Sequence, residues 1–234
     1  MLNYLKADMY RIIKGKDFIG SMLLCLLFQL IFSYIMCINK TNEEFRMLIS
    51  VSAVFIPLFS LKPLMFFWGS DFTARTINNL LIKSKNRLIL FLYKTIATIL
   101  FGISYLLISL ITAFVFFSIN GVMDIQLTIN IVAYQLPFYL CIILLGIFLF
   151  NYIDSVNQAC VLYLFIAVLF DNIASFIIAP LDTLEFLREF LLFNKLKDIP
   201  ANGNIWTMSS LIALIFSGIY FLVSYYLFQT REFK

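Results

Sequence analysis

The sequence predicts an all-α polytopic membrane protein, on three observations. Of its 234 residues 62% are hydrophobic and only 13% charged, whereas soluble domains have about a half and a quarter; mean hydropathy is +0.97. The apolar residues gather into six runs, each long enough to cross a bilayer at about 20 residues per span. The cations fall almost entirely between those runs, unequally on alternate sides.

The runs are Phe18–Ile38, Leu48–Trp68, Leu88–Phe117, Ile129–Phe150, Ala159–Ala179 and Ile205–Phe228. They make residues 1–234 one transmembrane domain with no room for a separate soluble module of about 100 residues, which excludes a built-in ATPase, kinase or protease. The first run is too long for a signal-peptide core and lacks an A-x-A-like exit, so it is expected to stay as a span. Histidine is absent, which removes the commonest general base and metal ligand. Neither a G-x-x-x-x-G-K-[ST] loop nor a G-x-S-x-G elbow occurs. No catalytic residue and no metal set is therefore assigned. Cys25, Cys37, Cys141 and Cys160 lie scattered among Leu, Ile and Phe and read as packing residues.

The net charge of +4 reflects topology rather than a nucleic-acid partner, since no basic patch is interleaved with aromatics. One side collects Lys6, Arg11, Lys14, Lys16, Arg75, Lys83, Lys85, Arg87, Lys94, Arg231 and Lys234; the other has Lys40, Arg46, Arg188, Lys195 and Lys197. Eleven against five places both termini in the cytoplasm. Trp68, Trp206, Tyr225 and Tyr226 fall near span ends, where amphipathic rings prefer headgroup depth.

Three segments outside the spans carry pattern. Residues 1–17 set Leu2, Leu5, Met9, Ile12 and Ile13 on one helical face with Lys6, Arg11, Lys14 and Lys16 around the rest, the pattern of a helix lying in the interface. Residues 70–82 start at Ser70 or Asp71 as N-cap and repeat Phe72, Ile77, Leu80 and Leu81 with Thr76 on the same face, a short cytoplasmic amphipathic helix. On the outer side Asp182 and Glu185 resemble a capping box, and Leu184, Leu187, Phe190 and Leu191 form a stripe that Pro200 and Gly203 interrupt. A membrane-hugging helix or re-entrant hairpin is expected there.

The second segment reads Asp71, Thr76-x-x-x-Leu80-Leu81, Arg87 and then Lys94. In this it resembles the permease subunits of type-2 ABC exporters, which carry an acidic residue, Gly-Thr, Leu-Leu, Pro, Arg and a following Lys between their second and third spans. Arg75 stands where Gly is usual and Ser84 where Pro is usual, the pattern of a divergent, small member. The architecture is similar too: an interfacial helix, six spans and a short outer element between spans five and six. The resemblance implies that Asp71, Phe72, Arg75, Thr76, Leu80, Leu81 and Arg87 form a coupling helix on an ATPase, with Phe72 and Leu80 as knobs. It implies two copies of a separately encoded ATPase that bind ATP and Mg, a second permease chain, identical or different, and no cofactor on this chain. Small members of this kind serve lantibiotic immunity, bacitracin resistance or export of amphipathic peptides, in the bacterial plasma membrane. A non-transport scaffold or sensor subunit is the alternative class; a channel would need a polar ring or repeated pore helix.

Two charges lie inside spans, Lys62 and Asp171, at about 2.5–3.5 kcal/mol each on insertion scales. With Asn172 they are transport-pathway candidates, and a Lys62–Asp171 pair would lower the cost of both. Lys62 is close enough to the inner end to snorkel; Asp171 is not. Pro57 and Pro63 mark an irregularity in span two whose freed carbonyls need partners and could line a pathway, and Pro137 does the same in span four. Ser209, Ala213 and Ser217, with Gly218 adjacent, form a small-residue stripe for close helix packing, within the subunit or against a partner. The 27 phenylalanines would suit a wall for amphipathic cargo, or ordinary lipid-facing packing.

Overall fold

The computed structural model describes residues 2–38, 41–73, 87–121, 125–178, 180, 182–197, 199 and 207–231, with side chains except at 2–7, 13 and 182–185. Among the described residues the chain is helical and carries no strand. After an N-terminal helix, Leu2–Gly15, six helices are long and apolar enough to span a membrane: Asp17–Met36, Asn42–Thr73, Arg87–Ile119, Ile125–Tyr152, Val156–Ile178 and Met208–Thr230. The chain is a multi-pass helical membrane protein. The N-terminal helix and the end of the sixth span lie on one side, here the terminal side; the other is the far side.

The second span begins at Asn42, six residues before its apolar run. Thr41 Oγ1 accepts from the Glu44 amide at 3.3 Å, and Glu43 and Glu44 sit in the first turn, where the helix dipole favours anions. Hydropathy registers only the part of a helix suited to hydrocarbon, so these polar turns escape it.

The fourth span is the hub. Of its most apolar stretch 72% is buried, and the sixth span lies along it. Gly146 lets it meet the second span: a Cβ there would come 2.3 Å from Leu64 Cδ1. Since lipid is as apolar as leucine, span association depends on close packing and interhelical hydrogen bonds. Gln29 Oε1 accepts from Ser52 Oγ at 2.7 Å and Ser109 Oγ at 2.9 Å, joining spans one, two and three. Asn151 Nδ2 donates to Ser224 Oγ at 3.1 Å, joining four and six. The Pro57 carbonyl accepts from Tyr163 Oη at 3.1 Å and Ser60 Oγ at 2.7 Å, which ties span two to span five. Polar groups beside Pro57 are thus consumed inside the subunit. Pro63 is followed by a π-helical turn, Met65–Gly69, the irregularity expected in span two.

Several expectations need correction. Ser209, Ala213 and Ser217 are buried within the chain, so they are not offered to a partner, while nothing lies within 4 Å of a Cβ built on Gly218. Of the two roles expected for the stripe, its three small residues take the intrachain one, with Ser209 Oγ donating to Glu189. Trp68 does not face lipid but is fully buried, its Nε1 donating to Thr98 Oγ1 at 3.0 Å. It packs edge-on against Phe91 and Phe228, so part of the phenylalanine content builds the interior. Cys25 and Cys141 are buried, Cys37 and Cys160 half-buried, and none of the four forms a disulfide.

On the far side a 3₁₀ stretch, Asp182–Phe190, leads to a short helix, Leu192–Lys197. Leu192 and Leu196 are buried. Tyr134 Oη donates to the Lys195 carbonyl at 2.9 Å, and Tyr134 stands about 14 Å into the fourth span at 1.5 Å per residue. The short helix therefore dips into the bundle, the re-entrant option of the two expected. Glu189 accepts from Lys195 Nζ at 2.7 Å and from Ser209 Oγ. Lys195 and Ser209 hold its carboxyl below the usual range, so this tie persists until the pH falls through that lowered value. Trp206 lies outside the described residues.

Candidate functional site

The sequence pattern sets Asp71 at a free helix start. Instead the helix of the second span continues through the π turn into Ser70–Thr73, so Ser70 and Asp71 are interior. A π turn adds one residue to the helical repeat and rotates the residues after it, here turning Asp71 into the bundle, where it is 4% exposed. The fifth span repeats the device: a π turn, Phe165–Phe170, directly precedes Asp171, which is 5% exposed.

Around Asp71 a compact ionic cluster forms. Lys94, fully buried in the third span, donates through Nζ to Asp71 Oδ2 at 2.5 Å and to the Phe67 carbonyl of the π turn at 2.8 Å. Its ammonium lies 5.6 Å from the Trp68 ring, and its own carbonyl accepts from Thr98 Oγ1. Arg11 reaches in from the N-terminal helix, donating to Asp71 Oδ1 at 3.3 Å, Asp8 Oδ1 at 3.2 Å and Ser70 Oγ at 3.1 Å, with its guanidinium 4.8 Å from the Phe66 ring. Tyr93 Oη closes the ring on Asp8 Oδ2 at 2.8 Å. Two cations meet two anions, so the burial of Lys94 is compensated by charge and by hydrogen bonds. The N-terminal helix is therefore docked through its polar face, although its pattern alone places Arg11 in solvent. The Asp8–Arg11 spacing of three is the one signal of this role in the sequence.

Asp71 and Lys94, 23 residues apart, thus clamp the two ends of the segment between spans two and three. Arg87 Nη1 donates to the Gln229 carbonyl at 2.6 Å, tying the end of the segment to the sixth span. Phe72 is half-buried against Trp68, with the Arg231 guanidinium 4.8 Å from its ring, so its ring serves the body of the protein. Arg75, Thr76, Leu80 and Leu81 lie outside the described residues.

The second buried carboxylate does not meet Lys62. Asp171 Oδ2 accepts from the amides of Phe193 at 2.7 Å and Asn194 at 3.1 Å, and the Asp171 carbonyl accepts from Asn194 Nδ2 at 3.0 Å. Its partner is the first turn of the re-entrant helix, whose amides have no intrahelical acceptors. Asn172 is exposed and accepts from Lys197 Nζ at 3.2 Å. Asp171 also borders a cavity of about 230 Å³ walled by Cys141, Ile142, Leu145, Phe170, Phe216 and Tyr220. Lys62 borders a separate cavity beside the N-terminal helix, on the terminal side. Among the described residues no group of His, Cys, Asp and Glu could hold a metal.

Fold and site together define a polytopic helical membrane protein with a buried charge cluster at the root of one interspan segment. Comparison with protein-family models, with curated proteins and with solved structures finds no match to this chain.

Proposed function

We propose that the chain is the permease subunit of an ATP-driven exporter of the type-2 ABC kind, moving an amphipathic peptide or other hydrophobic compound out of the membrane or cytoplasm. The observation that carries this reading is the Asp71–Lys94 ion pair. It joins the first and last charged residues of the motif that resembles a coupling segment, and it fastens both ends of that segment to spans two and three. A helix that receives force from an ATPase must be rooted in the spans it moves; a loop held only by lipid needs positive charge and no such root. ATP and Mg are bound by the separate ATPase, in two copies, and a second permease chain completes the complex. The cavity at Asp171, apolar and aromatic with one carboxylate, suits the wall of a pathway for amphipathic cargo.

With Phe72 engaged by Trp68 and Arg231, Leu80 is the knob to test. Leu80→Asp would bury a charge without a partner at the docking ridge, and recovery of the ATPase on the affinity-purified permease is expected to fall at least tenfold, with unfolding of the permease alone unchanged. Undiminished recovery would return the segment to a lipid-held loop and favour the scaffold or sensor reading.

The proposed location is the bacterial plasma membrane with both termini cytoplasmic. In a background lacking the four native cysteines, Glu43→Cys, Asp124→Cys and Gly203→Cys are expected to react with an impermeant thiol reagent on intact cells, and Lys85→Cys only after lysis. The reverse order would overturn this orientation.

A further inference from the structure

Lys62 lies inside the second span, and its ammonium makes no hydrogen bond or ion pair with any described residue. It stands on the face of the second span that also presents Met65, Phe66 and Ser70, six residues before the end of the apolar run at Trp68, about 9 Å at 1.5 Å per residue. An ammonium inside a span without an anion is costly unless its stem snorkels. Lys62 borders a half-open cavity of about 200 Å³, formed because the chain turns sharply between the N-terminal helix and the first span. Lys16 makes that turn with φ 53°, the only positive φ outside glycine among the described residues.

The lining divides by chemistry. Lys62 supplies a cation that no described residue engages, Arg11 a second whose charge Asp8 and Asp71 already share, and Asp17 one anion; Ser70 adds a hydroxyl. Ile12, Phe18, Met65 and Phe66 form the rest of the wall. Met65 is 39% exposed, so an apolar part of the wall lies at the outer surface of the second span. An occupant that pairs with Lys62 carries negative charge, and one that also lies along Met65 and Phe66 has an apolar part. A free inorganic anion meets the first condition alone.

We infer that this elbow between the N-terminal helix and the second span binds the phosphate headgroup of an anionic phospholipid from the leaflet on the terminal side, with Lys62 as its principal counter-ion. Arg11, already shared with Asp8 and Asp71, adds field rather than a free donor set, and Asp17 at the mouth opposes the charge of the lipid. Basic pockets between spans bind headgroups by this combination of cation and acyl-compatible wall. The inference stands independently of the transport reading.

The test uses the full chain, purified in a neutral detergent and stripped of lipid, then titrated with phosphatidylglycerol or phosphatidylcholine of identical acyl chains. Bound lipid is counted by native mass spectrometry and the unfolding midpoint is followed in parallel. The wild type is expected to prefer phosphatidylglycerol by about tenfold and to be stabilised by it. Lys62→Gln, which removes an in-span charge and so does not hinder insertion, should bring the two lipids to within about twofold. Asp17→Asn should raise the preference, a change in the opposite direction that loss of folding cannot produce. Lys195→Gln on the far side should leave it as in the wild type. An undiminished preference in Lys62→Gln would overturn the assignment, as would stabilisation by inorganic phosphate equal to that by phosphatidylglycerol.

Discussion

Lys94→Met is expected to destabilise the folded protein by about 3–5 kcal/mol, because it removes one partner of a buried ion pair and leaves Asp71 charged inside the bundle. Arg11 cannot compensate. Its contact to Asp71 is longer, at 3.3 Å against 2.5 Å, its side chain is 42% exposed, and it is shared with Asp8. Lys94→Met also strips the Phe67 carbonyl of the π turn of its donor, which costs a further unsatisfied buried group. The thermal unfolding midpoint in lipid nanodiscs measures the loss. Asp71→Leu should be comparably harmful, since it leaves the Lys94 ammonium with a single carbonyl. The double variant Asp71→Leu with Lys94→Met removes both charges and should recover most of the stability of either single variant, because an ion pair replaced by apolar residues of similar volume is often neutral. A double variant no more stable than the singles would show that the cluster does not act as a pair. If the segment between the two residues is the proposed docking site, the double variant, though stable, should lose ATPase stimulation, because the root of the segment is no longer tied to the third span.

The second large effect is expected at Asp171. Asp171→Leu leaves the amides of Phe193 and Asn194 without acceptors in a half-buried setting, at about 1–3 kcal/mol for each group, and the re-entrant helix should come away from the fourth and fifth spans. Accessibility of a cysteine in place of buried Leu196 to a thiol reagent reads this directly, with a rise of at least tenfold expected. Asp171→Asn keeps one acceptor oxygen and should lose less. Adding Lys62→Leu should not rescue Asp171→Leu, because Lys62 borders a different cavity on the terminal side. Rescue would require the two charges to meet in a conformation other than this one. Unchanged accessibility in Asp171→Leu would mean that the short helix is held by Tyr134, Gln135 and its leucines alone.

Much of the fold is legible along the chain because hydrocarbon imposes a one-dimensional rule: a span is some 20 apolar residues, and backbone polar groups within it must bond to one another. That rule locates all six helices. Helical spacing of leucine and isoleucine likewise locates the N-terminal helix, and the stripe through Leu187, Phe190 and Leu191 marks the outer element between spans five and six, here a 3₁₀ stretch; the side chains of Asp182 and Glu185 lie outside those described. Hydropathy could not extend span two to Asn42 or Thr73, since those turns are polar and set by capping and by a buried aspartate. The irregularity after Pro63 is legible as a disturbance, but its form as a π turn is not, because the count of residues per turn is decided by what the side chains beyond it can reach.

The candidate site divides along the same line. Asp71, Arg87 and Lys94 can be singled out by type and spacing, and Lys62 and Asp171 by the cost of charge in a span. What each charge meets is decided only by the packing of the helices. Asp71 finds Lys94 rather than a helix start, Arg11 turns inward from a helix whose pattern offers only its apolar face, and Asp171 takes two amides from a helix 22 residues ahead. The small residues of span six are legible as a close-contact stripe, but not that they are buried within this chain. The sequence by itself determined that this protein has six spans and that Lys62 and Asp171 lie inside them, because partition into hydrocarbon depends on composition over a single span; that Asp71 and Lys94 are buried as well was decided by packing. Tertiary structure alone decided the pairing of those charges, because an ion pair is a short-range contact between side chains that the chain brings together only after its helices have packed.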